Sequence, residues 1–242
     1  MCESTTRRAG VTRTHPLNLT LFGPPGSGKG TQAGFLTKHF GIPQVSTGDL
    51  FRAEIKADTP LGREARGYLE RGDLVPDDIT LELVRRRLQK PDTWRGVLFD
   101  GFPRTVAQAK ELDRMLASMG RRMDRVLFVQ VPTEMLVSRL AGRLTCPACG
   151  RTYHPKLAPP KDDTRCDVDG TELIMREDDR PETARRRIGV YLEQTLPVLA
   201  HYRQQHVVAD VDGTGSIDEV RQRILRAIAN GRRGDGHDQP QD

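Results

Sequence analysis

Short apolar runs alternate along the chain with longer stretches in which apolar positions repeat every three or four residues. Short, mostly apolar runs occur at 17–22, 42–45, 96–99, 125–131 and 207–211, and the continuous run at 96–99 is typical of a strand buried on both faces of a sheet. The longer repeats predict amphipathic helices over 31–40, 50–57, 61–71, 77–89, 105–119, 133–141, 181–203 and 216–230. This alternation predicts an α/β fold with a doubly wound parallel sheet, whose ligands bind at the carboxyl ends of the strands.

Local signals refine the ends of the predicted helices. A Ser-Thr-Gly-Asp cluster at 46–49 is expected to cap the helix that follows it, and Asp77 or Asp78 is expected to cap a later one. We expect the long helix near the carboxyl end to bend or break at Pro197, because proline lacks the N–H group that a helix interior uses. Residues 142–179 read as an irregular, proline-rich insert that carries cysteines.

The segment from Gly23 to Thr31, with the sequence GPPGSGKGT, directly follows the first apolar run. Its glycines allow a tight turn whose N–H groups face a phosphate, and Lys29 and the following helix add positive charge. The segment therefore predicts a phosphate-binding loop for a nucleoside polyphosphate. The general pattern has a Ser or Thr that contacts Mg²⁺ where this chain has Gly30, and the hydroxyl comes one residue later. The metal is therefore expected to contact phosphate oxygens, waters and a carboxylate.

A carboxylate suited to that metal follows the apolar run at 96–99. Asp100 ends the predicted strand beside the loop, and we expect it to hold Mg²⁺ through water. Gly101 then allows close approach of the backbone to a ligand, and Arg104 can clamp a phosphate.

Further arginines fit a reaction that transfers a phosphoryl group. Such a reaction needs positive charge around the moving group and exclusion of water. Arginines at both edges of a mobile insert would close over the phosphates and meet both needs. The candidates are Arg52, Arg139, Arg143, Arg176 and Arg187.

The insert carries the pattern Cys-x2-Cys followed by Cys-x2-Asp, formed by Cys146, Cys149, Cys166 and Asp169. This spacing is that of a four-ligand zinc site with an oxygen ligand in the last place. We expect a structural zinc ion there. Two alternatives stay open: His154 is the fourth ligand, or the insert is held by hydrogen bonds alone.

The composition of the chain limits which partners it is expected to bind and in which cellular compartment it is expected to work. The formal net charge is +5 and the pI is about 9.2. Aromatic residues make up 5% of the chain, too few for a nucleic-acid stacking surface, so the basic charge is expected to bind small polyanions. No apolar stretch approaches the ~18 residues of a membrane span, and residues 1–16 lack the apolar region of a secretory signal. We expect a cytoplasmic enzyme without nucleic-acid or membrane partners.

Taken together and in this order, the motifs resemble adenylate kinase, in the long form with a zinc-binding lid, over about residues 17–230. The stretches that carry the resemblance are GPPGSGKGTQA, STGDLFR, GDLVPDDIT, FDGFPRTVAQA, CPACG with CDVD, REDDRPETARRRIGVY and VDGTGSIDEV. The resemblance implies a monomer that transfers the terminal phosphoryl group of ATP to AMP with Mg²⁺, reversibly, giving two ADP for adenine nucleotide homeostasis. It also implies two moving parts, an AMP-binding segment at 46–75 and a lid at 142–179. Residues 1–16 and 231–242 lie outside the match and are expected to be disordered.

The resemblance also implies roles for individual residues. Positions that match ATP contacts are Gly26, Ser27, Gly28, Lys29, Gly30, Thr31, Arg139, Arg143, Thr152, Tyr153 and Gly215. Positions that match AMP contacts are Thr47, Arg52, Asp73, Leu74, Val75, Gly101, Phe102, Pro103, Arg104, Gln108, Arg176 and Arg187. Among these, Thr47 and Gln108 occupy the places that read the adenine. Catalytic roles fall on Lys29, Arg104, Arg139, Arg143, Arg176 and Arg187. Asp178 and Asp179 match lid-hinge carboxylates, and Asp169 stands where all-cysteine lids have a fourth cysteine.

Two other functions stay open from the sequence. A sister nucleoside monophosphate kinase would act on UMP or CMP, or take GTP as donor. Thr47 and Gln108 favour AMP instead, and the long lid argues against the UMP/CMP type. A zinc-ribbon module that binds nucleic acid would fit the pI and the cysteines, and it would leave the phosphate loop and the FDGFPRT stretch unexplained.

Overall fold

The computed structural model describes residues 15–231. These residues form eight strands: β1 (Leu17–Phe22), β2 (Gln44–Ser46), β3 (Gly96–Asp100), β4 (Arg125–Gln130), β5 (Leu144–Thr145), β6 (Thr152–Tyr153), β7 (Ile174–Met175) and β8 (Val208–Asp212). They also form nine α-helices: α1 (Lys29–Phe40), α2 (Thr47–Lys56), α3 (Pro60–Arg71), α4 (Asp77–Leu88), α5 (Val106–Ser118), α6 (Thr133–Ala141), α7 (Pro181–Val190), α8 (Val198–Gln204) and α9 (Ile217–Gly231). None of these helices combines the length and the apolar character needed to cross a bilayer.

The expectation of disordered ends concerns mainly residues outside the described range. Positions 1–14 and 232–242 lie beyond it. Gly231, which the sequence assigns to the start of a disordered tail, is instead the last residue of α9.

Five strands form a central sheet in the order β2-β3-β1-β4-β8, and all of their pairings are parallel. The register pairs Leu21 of β1 with Asp100 of β3, and Phe22 of β1 with Phe128 of β4. Because the strands run the same way, their carboxyl ends share one edge of the sheet. The predicted α/β fold with a parallel sheet is confirmed.

Helices cover both faces of this sheet, which explains why the inner strands β1, β3 and β4 are apolar at most positions. On one face, Leu98 packs in a cluster with residues of α1 and α9, including Leu36 and Ile224. On the other face, the neighbouring Phe99 packs with residues of α4, α5 and α8, including Leu112. Successive strand residues therefore point to opposite faces and are buried on both.

The two predicted helix caps have different outcomes. The cluster at 46–49 does cap α2, since the Asp49 N–H donates to Ser46 Oγ at 3.2 Å, but the helix begins at Thr47 instead of residue 50. The N-cap residue of α4 is Pro76, without a side-chain cap. The prediction that Asp77 or Asp78 caps this helix is therefore wrong, and the carboxylate of Asp77 binds side chains of α5 and its N-cap instead.

The helix predicted over 181–203 is interrupted at Pro197, as expected, because residues 196 and 197 form a turn, and a π-helical segment that the sequence does not predict precedes this turn. α7 ends at Val190, a π-helical turn follows over Tyr191–Thr195, and α8 begins just after the proline. Within the turn, the Leu196 N–H donates to the Tyr191 carbonyl at 2.8 Å, which is the five-residue step of a π turn. The chain thus changes register before it reaches the residue that cannot continue the helix.

The insert (142–179) contains a small sheet of its own. Strands β5, β6 and β7 have two residues each and pair antiparallel in the order β6-β5-β7. Its core consists of Cys146, Tyr153, Cys166 and Leu173, with Leu144 packed against them. The segment that the sequence marks as irregular is therefore a compact unit with few apolar contacts.

The amino ends of the central strands form the edge of the sheet that lies opposite to the predicted site. Trp94, the single tryptophan of the chain, lies at this edge and is 67% exposed. It directly follows a 3₁₀ turn (Pro91–Thr93) that leads into β3.

Candidate functional site

The loop between β1 and α1 has the backbone that the sequence predicts. Gly26 and Gly28 have φ values of +85° and +91°, in the region that favours glycine. A Cβ at Gly26 would lie 2.9 Å from the Leu136 carbonyl oxygen, so a larger residue does not fit. Gly28 is the N-cap residue of α1 and supplies no side-chain cap, so no capping side chain competes with an anion for the first N–H groups of the helix.

Lys29 lies against this loop, and its Nζ donates to the carbonyl oxygens of Gly23 and Pro24 at 2.8 Å each. Burial lowers the pKa of Lys29 to about 7; the nearby Asp100 carboxylate partly opposes this, and the Arg104 guanidinium adds to it. A bound polyphosphate would bring negative charge to this point. The charged form of Lys29 would then be favoured.

Asp100 lies at the carboxyl end of β3, next to the start of α1. Its Oδ2 accepts a hydrogen bond from Gln44 Nε2 at 2.9 Å, and a Cβ at Gly30 would lie 3.7 Å from the same oxygen. Burial raises the pKa of Asp100, and the charge of Lys29 works against that rise. The predicted carboxylate therefore does lie beside the loop. The sequence pattern does not reveal Gln44, whose contact with Asp100 depends on the pairing of β2 with β3.

Two pockets open at this edge of the sheet. The first is lined by Lys29, Arg187 and the Gly101–Arg104 turn, which includes the predicted Phe102 and Pro103. The second is lined by Thr47, Gln108 and Arg104, together with the predicted Asp73, Leu74 and Val75. Arg104 lines both pockets, so one guanidinium lies between two cavities.

The turn that carries Arg104 also fixes its guanidinium group. Its Nε donates to the Gly101 carbonyl oxygen at 2.7 Å. Burial lowers the pKa of Arg104 to about 10, and the neighbouring Arg187 is the next largest cause. The side chain is therefore charged at neutral pH, and the other arginines near it make an environment that suits a phosphate.

Two of the predicted arginines are paired with carboxylates of the turn at 177–179. Arg143 Nε donates to Asp179 Oδ2 at 2.7 Å and its Nη2 donates to Oδ1, although Asp179 itself is fully buried. Arg187 Nη1 lies 2.9 Å from Asp179 Oδ1 and 3.0 Å from Asp178 Oδ2. The pairs join the end of α6 to α7 across the insert.

Asp49 is the acidic partner of two more of the predicted arginines, Arg52 and Arg176. Its Oδ1 lies 2.5 Å from Arg52 Nη2 and 3.9 Å from Arg176 Nη2. Burial raises the pKa of Asp49, but Arg52 and then Arg176 outweigh burial, so the pKa is lower than usual. The sequence pattern gives Asp49 only a capping role, because its contact with Arg176 joins distant parts of the chain.

Some of the predicted site residues do not line either pocket. Tyr153 is buried inside the insert with its hydroxyl 3.4 Å from Cys166 Sγ, and Thr152 precedes it on β6. Gly215 lies in the loop that follows β8 and has φ +94°. The Arg139 guanidinium is 3.5 Å from a carbonyl oxygen of the same loop. These residues border the edge of the sheet or belong to the insert.

Gln108 is 2% exposed, and both ends of its side-chain amide are bound. The Arg104 N–H donates to its Oε1 at 2.8 Å, and its Nε2 donates to Asp77 Oδ1 at 2.7 Å. Thr47, the other predicted reader of the adenine, donates from Oγ1 to the Gly101 carbonyl at 3.2 Å. Both predicted readers therefore lie in the second pocket.

The four predicted zinc ligands come together in the insert. Their ligand atoms all lie within 4.8 Å of one another, and they belong to Cys146, Cys149, Cys166 and Asp169. Three thiols and one carboxylate are a donor set that suits tetrahedral zinc. His154 lies outside this group, and its Nδ1 accepts hydrogen bonds from two backbone N–H groups. Of the two candidate fourth ligands, the fold brings Asp169 to the cysteines.

Comparisons with known proteins identify one family. The family model for adenylate kinase matches residues 21–207. An adenylate kinase from Clostridium beijerinckii is 44% identical over 214 residues, which cover 88% of this chain and 99% of that protein. One from Staphylococcus epidermidis is 46% identical over 209 residues, or 86% of this chain and 97% of its own. One from Clostridium botulinum is 47% identical over 204 residues, which cover 84% of this chain and 94% of that protein.

Proposed function

The chain belongs to the adenylate kinase family, and from this premise we propose how its own residues divide the work of the reaction. It is a phosphotransferase that acts on adenine nucleotides and interconverts ATP and AMP with two ADP. The observation that carries the proposal is the position of Arg104, which lines both pockets. Two phosphate chains that enter from the two sides would meet at this guanidinium.

The first pocket is proposed to hold the phosphates of the donor, ATP. The loop from Gly26 to Thr31 offers backbone N–H groups and the amino end of α1, and Lys29 adds a charge. Arg139, Arg143, Thr152, Tyr153 and Gly215 are proposed to complete the ATP site when the insert approaches. Adenylate kinases use Mg-nucleotide, and Asp100 is the residue that would hold the ion through water, where it would neutralise phosphate charge.

The second pocket is proposed to hold AMP. Thr47 and Gln108 present polar atoms to the base, and Leu74, Val75 and Phe51 supply the apolar wall. Asp73 lines this pocket too, but its carboxylate is bound by two arginines, which leaves its backbone for a ligand. Phe102 and Pro103 belong to the turn that carries Arg104. Gly101 allows the close approach of that turn.

The arginines are proposed to exchange their carboxylate partners for phosphates. In the described structure Arg52 and Arg176 share Asp49, and Arg187 is bound to Asp178. These pairs keep the guanidinium groups in place while no phosphate neutralises them. In the complex, Arg143, Arg176 and Arg187 would surround the phosphoryl group in transfer, and they would supply positive charge that needs little rearrangement.

Within the domain, which is proposed to extend over residues 17–230, two segments are proposed to move relative to the rest. They are the AMP-binding segment at 46–75, formed by α2 and α3, and the insert at 142–179, which would act as a lid. Closure would exclude water from the phosphoryl group, which otherwise could be transferred to water. Asp178 and Asp179 lie where the insert joins α7 and would serve as hinge carboxylates.

The insert is proposed to hold a structural zinc ion through its four clustered donors. The set of three cysteines and Asp169 fits the ion, and it leaves no position open for catalysis. The ion would cross-link two chain turns in a unit whose own apolar core is small.

We also propose a monomer in the cytoplasm, without nucleic-acid or membrane partners. Free cysteines gathered as metal ligands favour a reducing compartment. The large apolar side chains that are exposed outside the insert, such as Trp94 and Met135, belong to separate elements. Scattered exposed residues of this kind do not form the continuous patch that a permanent partner needs.

A coupled assay of ADP formation tests the assignment directly. Purified protein with ATP and Mg²⁺ is given AMP, GMP, CMP or UMP in turn. Turnover with AMP alone supports Thr47 and Gln108 as readers of the base. Turnover with another acceptor would keep the mechanism and overturn that assignment, and no turnover with any acceptor would refute the catalytic site.

A further inference from the structure

Asp77 is bound at both of its carboxylate oxygens. Oδ1 accepts from Gln108 Nε2 and Oδ2 accepts from Thr105 Oγ1, each at 2.7 Å. Thr105 is the N-cap residue of α5, and its Oγ1 accepts in turn from the Gln108 N–H at 3.1 Å. Asp77 therefore ties the start of α4 to the first turn of α5, where Gln108 lies.

These contacts allow one orientation of the Gln108 amide. The Asp77 carboxylate offers only acceptors and must face Nε2, whereas the Arg104 N–H is a donor and must face Oε1. If the amide turned over, two donors would face each other at one end and two acceptors at the other. Gln108 is buried, so both mismatches would leave polar groups without partners.

Each end of the held amide keeps one hydrogen-bonding capacity for a ligand. Nε2 has a second N–H and Oε1 has a second lone pair, and the residue lines the second pocket. Adenine presents an acceptor, N1, beside a donor, the exocyclic amine, which matches this edge. Hypoxanthine and guanine present N1–H beside the O6 acceptor, which is the reverse pattern and would need the amide to turn over.

We propose that Asp77 is a positioning residue that fixes the Gln108 amide in the orientation for adenine and against 6-oxopurines. Asp77 acts through Gln108 and need not touch the base. The inference rests on the proposed role of the second pocket as the AMP site. It assigns to the acidic start of α4 a part in choosing the acceptor.

The test compares AMP with inosine monophosphate, which differs from AMP only at the edge that the amide reads. For each acceptor kcat/KM is measured in the wild type and in Asp77→Asn, with saturating Mg-ATP. We expect the AMP to inosine monophosphate ratio to fall about tenfold, because one hydrogen bond no longer opposes the turned amide. The fall should appear in KM for AMP more than in kcat.

Asp78→Asn is the matched control. It removes a negative charge from the same first turn of α4, but Asp78 is exposed, so its ratio should equal that of the wild type. Asp77→Glu keeps the carboxylate and should retain part of the ratio; it also serves as the second variant if Asp77→Asn does not fold. In a Gln108→Leu background, Asp77→Asn should change the ratio no further.

The outcomes separate this inference from the proposed function. An unchanged ratio in Asp77→Asn, with a ratio lost in Gln108→Leu, would overturn the role of Asp77 and leave Gln108 as the reader. An unchanged ratio in Gln108→Leu would refute the base-reading role of the second pocket itself. If Asp77→Asn has a lower melting temperature and keeps the wild-type ratio of AMP to inosine monophosphate, Asp77 stabilises the fold and plays no part in choosing the acceptor.

Discussion

The central sheet and the insert (142–179) are stabilised by different means. Residues such as Leu98 and Leu127 are fully buried in the sheet, within clusters that extend over helices on both faces. The insert has three strands of two residues, and two of its four core residues are cysteines. The sheet can fold on apolar burial alone, whereas a unit as small as the insert needs a cross-link. The proposed lid would thus be stabilised separately from the sheet.

The two regions also differ in how they hold positive charge. In the core, Lys29 hydrogen-bonds to backbone carbonyls. Its pKa is about 7 because burial lowers it and the nearby Asp100 carboxylate offsets only part of that effect. At the insert, Arg143 and Arg187 are paired with carboxylates. A lysine can lose its charge at physiological pH and an arginine cannot. The core charge therefore depends on its ligand and on pH, and the charges at the insert do not.

The largest effect is expected from Lys29→Met, which removes the charge from the core and leaves the apolar clusters intact. Turnover in the coupled ADP assay should fall by at least about 10³-fold, since charge at the phosphates is the main source of catalysis. Lys38→Met, an exposed change in the last turn of the same helix, is the control. Wild-type turnover in Lys29→Met would refute the phosphate-loop assignment.

The contrast in packing is tested by matched leucine truncations. Leu98→Ala, in the sheet, should lower the free energy of unfolding by about 2–5 kcal/mol, because it leaves a cavity in a fully buried cluster. Leu173→Ala, in the insert, should cost less than half as much, measured by urea unfolding of both variants. Equal losses would mean that the insert unfolds together with the sheet.

Removal of one of the four proposed zinc ligands should affect the insert more than the chemistry. Cys146→Ser is expected to lose bound zinc, from about one ion per chain, and to lower the melting temperature more than it lowers turnover in the cold. Cys2→Ser, which removes none of the four donors, is the control. The same melting temperature of the wild type with and without a chelator would contradict a structural zinc.

The smallest effect is a proton taken up when ATP binds. At about pH 8 the free protein holds Lys29 mostly neutral, since its pKa is about 7, and phosphate should recharge it with uptake of close to one proton. At about pH 6 Lys29 is already charged and uptake should vanish. Calorimetry in two buffers of different ionisation enthalpy, without Mg²⁺, measures the uptake.

Lys29→Arg is the control for this measurement, because arginine keeps its charge over the whole range. The difference between the wild type and this variant isolates the proton of Lys29 from those of ATP. If the variant takes up as many protons at about pH 8 as the wild type, the lowered pKa of Lys29 is not the source.

The features that the sequence predicts well are those set by local pattern. The strands at 17–22 and 96–99 are predictable because short, mostly apolar runs in an α/β chain are typical of strands inside the sheet. The phosphate loop is predictable because its glycines have to adopt backbone angles that other residues avoid. The cysteine spacing identifies the cluster, although it does not decide between Asp169 and His154.

The features that the sequence does not predict depend on contacts between distant residues. Asp77 resembles a cap because acidic residues at a helix start usually are caps, and nothing local announces its contact with Gln108. Gln44 and Asp49 look like ordinary residues of a strand and a helix. The π-helical segment at Tyr191–Thr195 comes just before the expected interruption at Pro197, and the sequence does not predict it because a π turn has no local signal comparable to proline.

The position of Trp94 has a practical consequence for following this protein by light. As the single indole, it is already in water in the folded chain and lies across the sheet from both pockets. Its emission should therefore change little when nucleotides bind, and also if the insert closes as proposed. In a Trp94→Phe protein, a tryptophan introduced into the insert would be the single indole, and its emission would report closure of the insert without a background signal from Trp94.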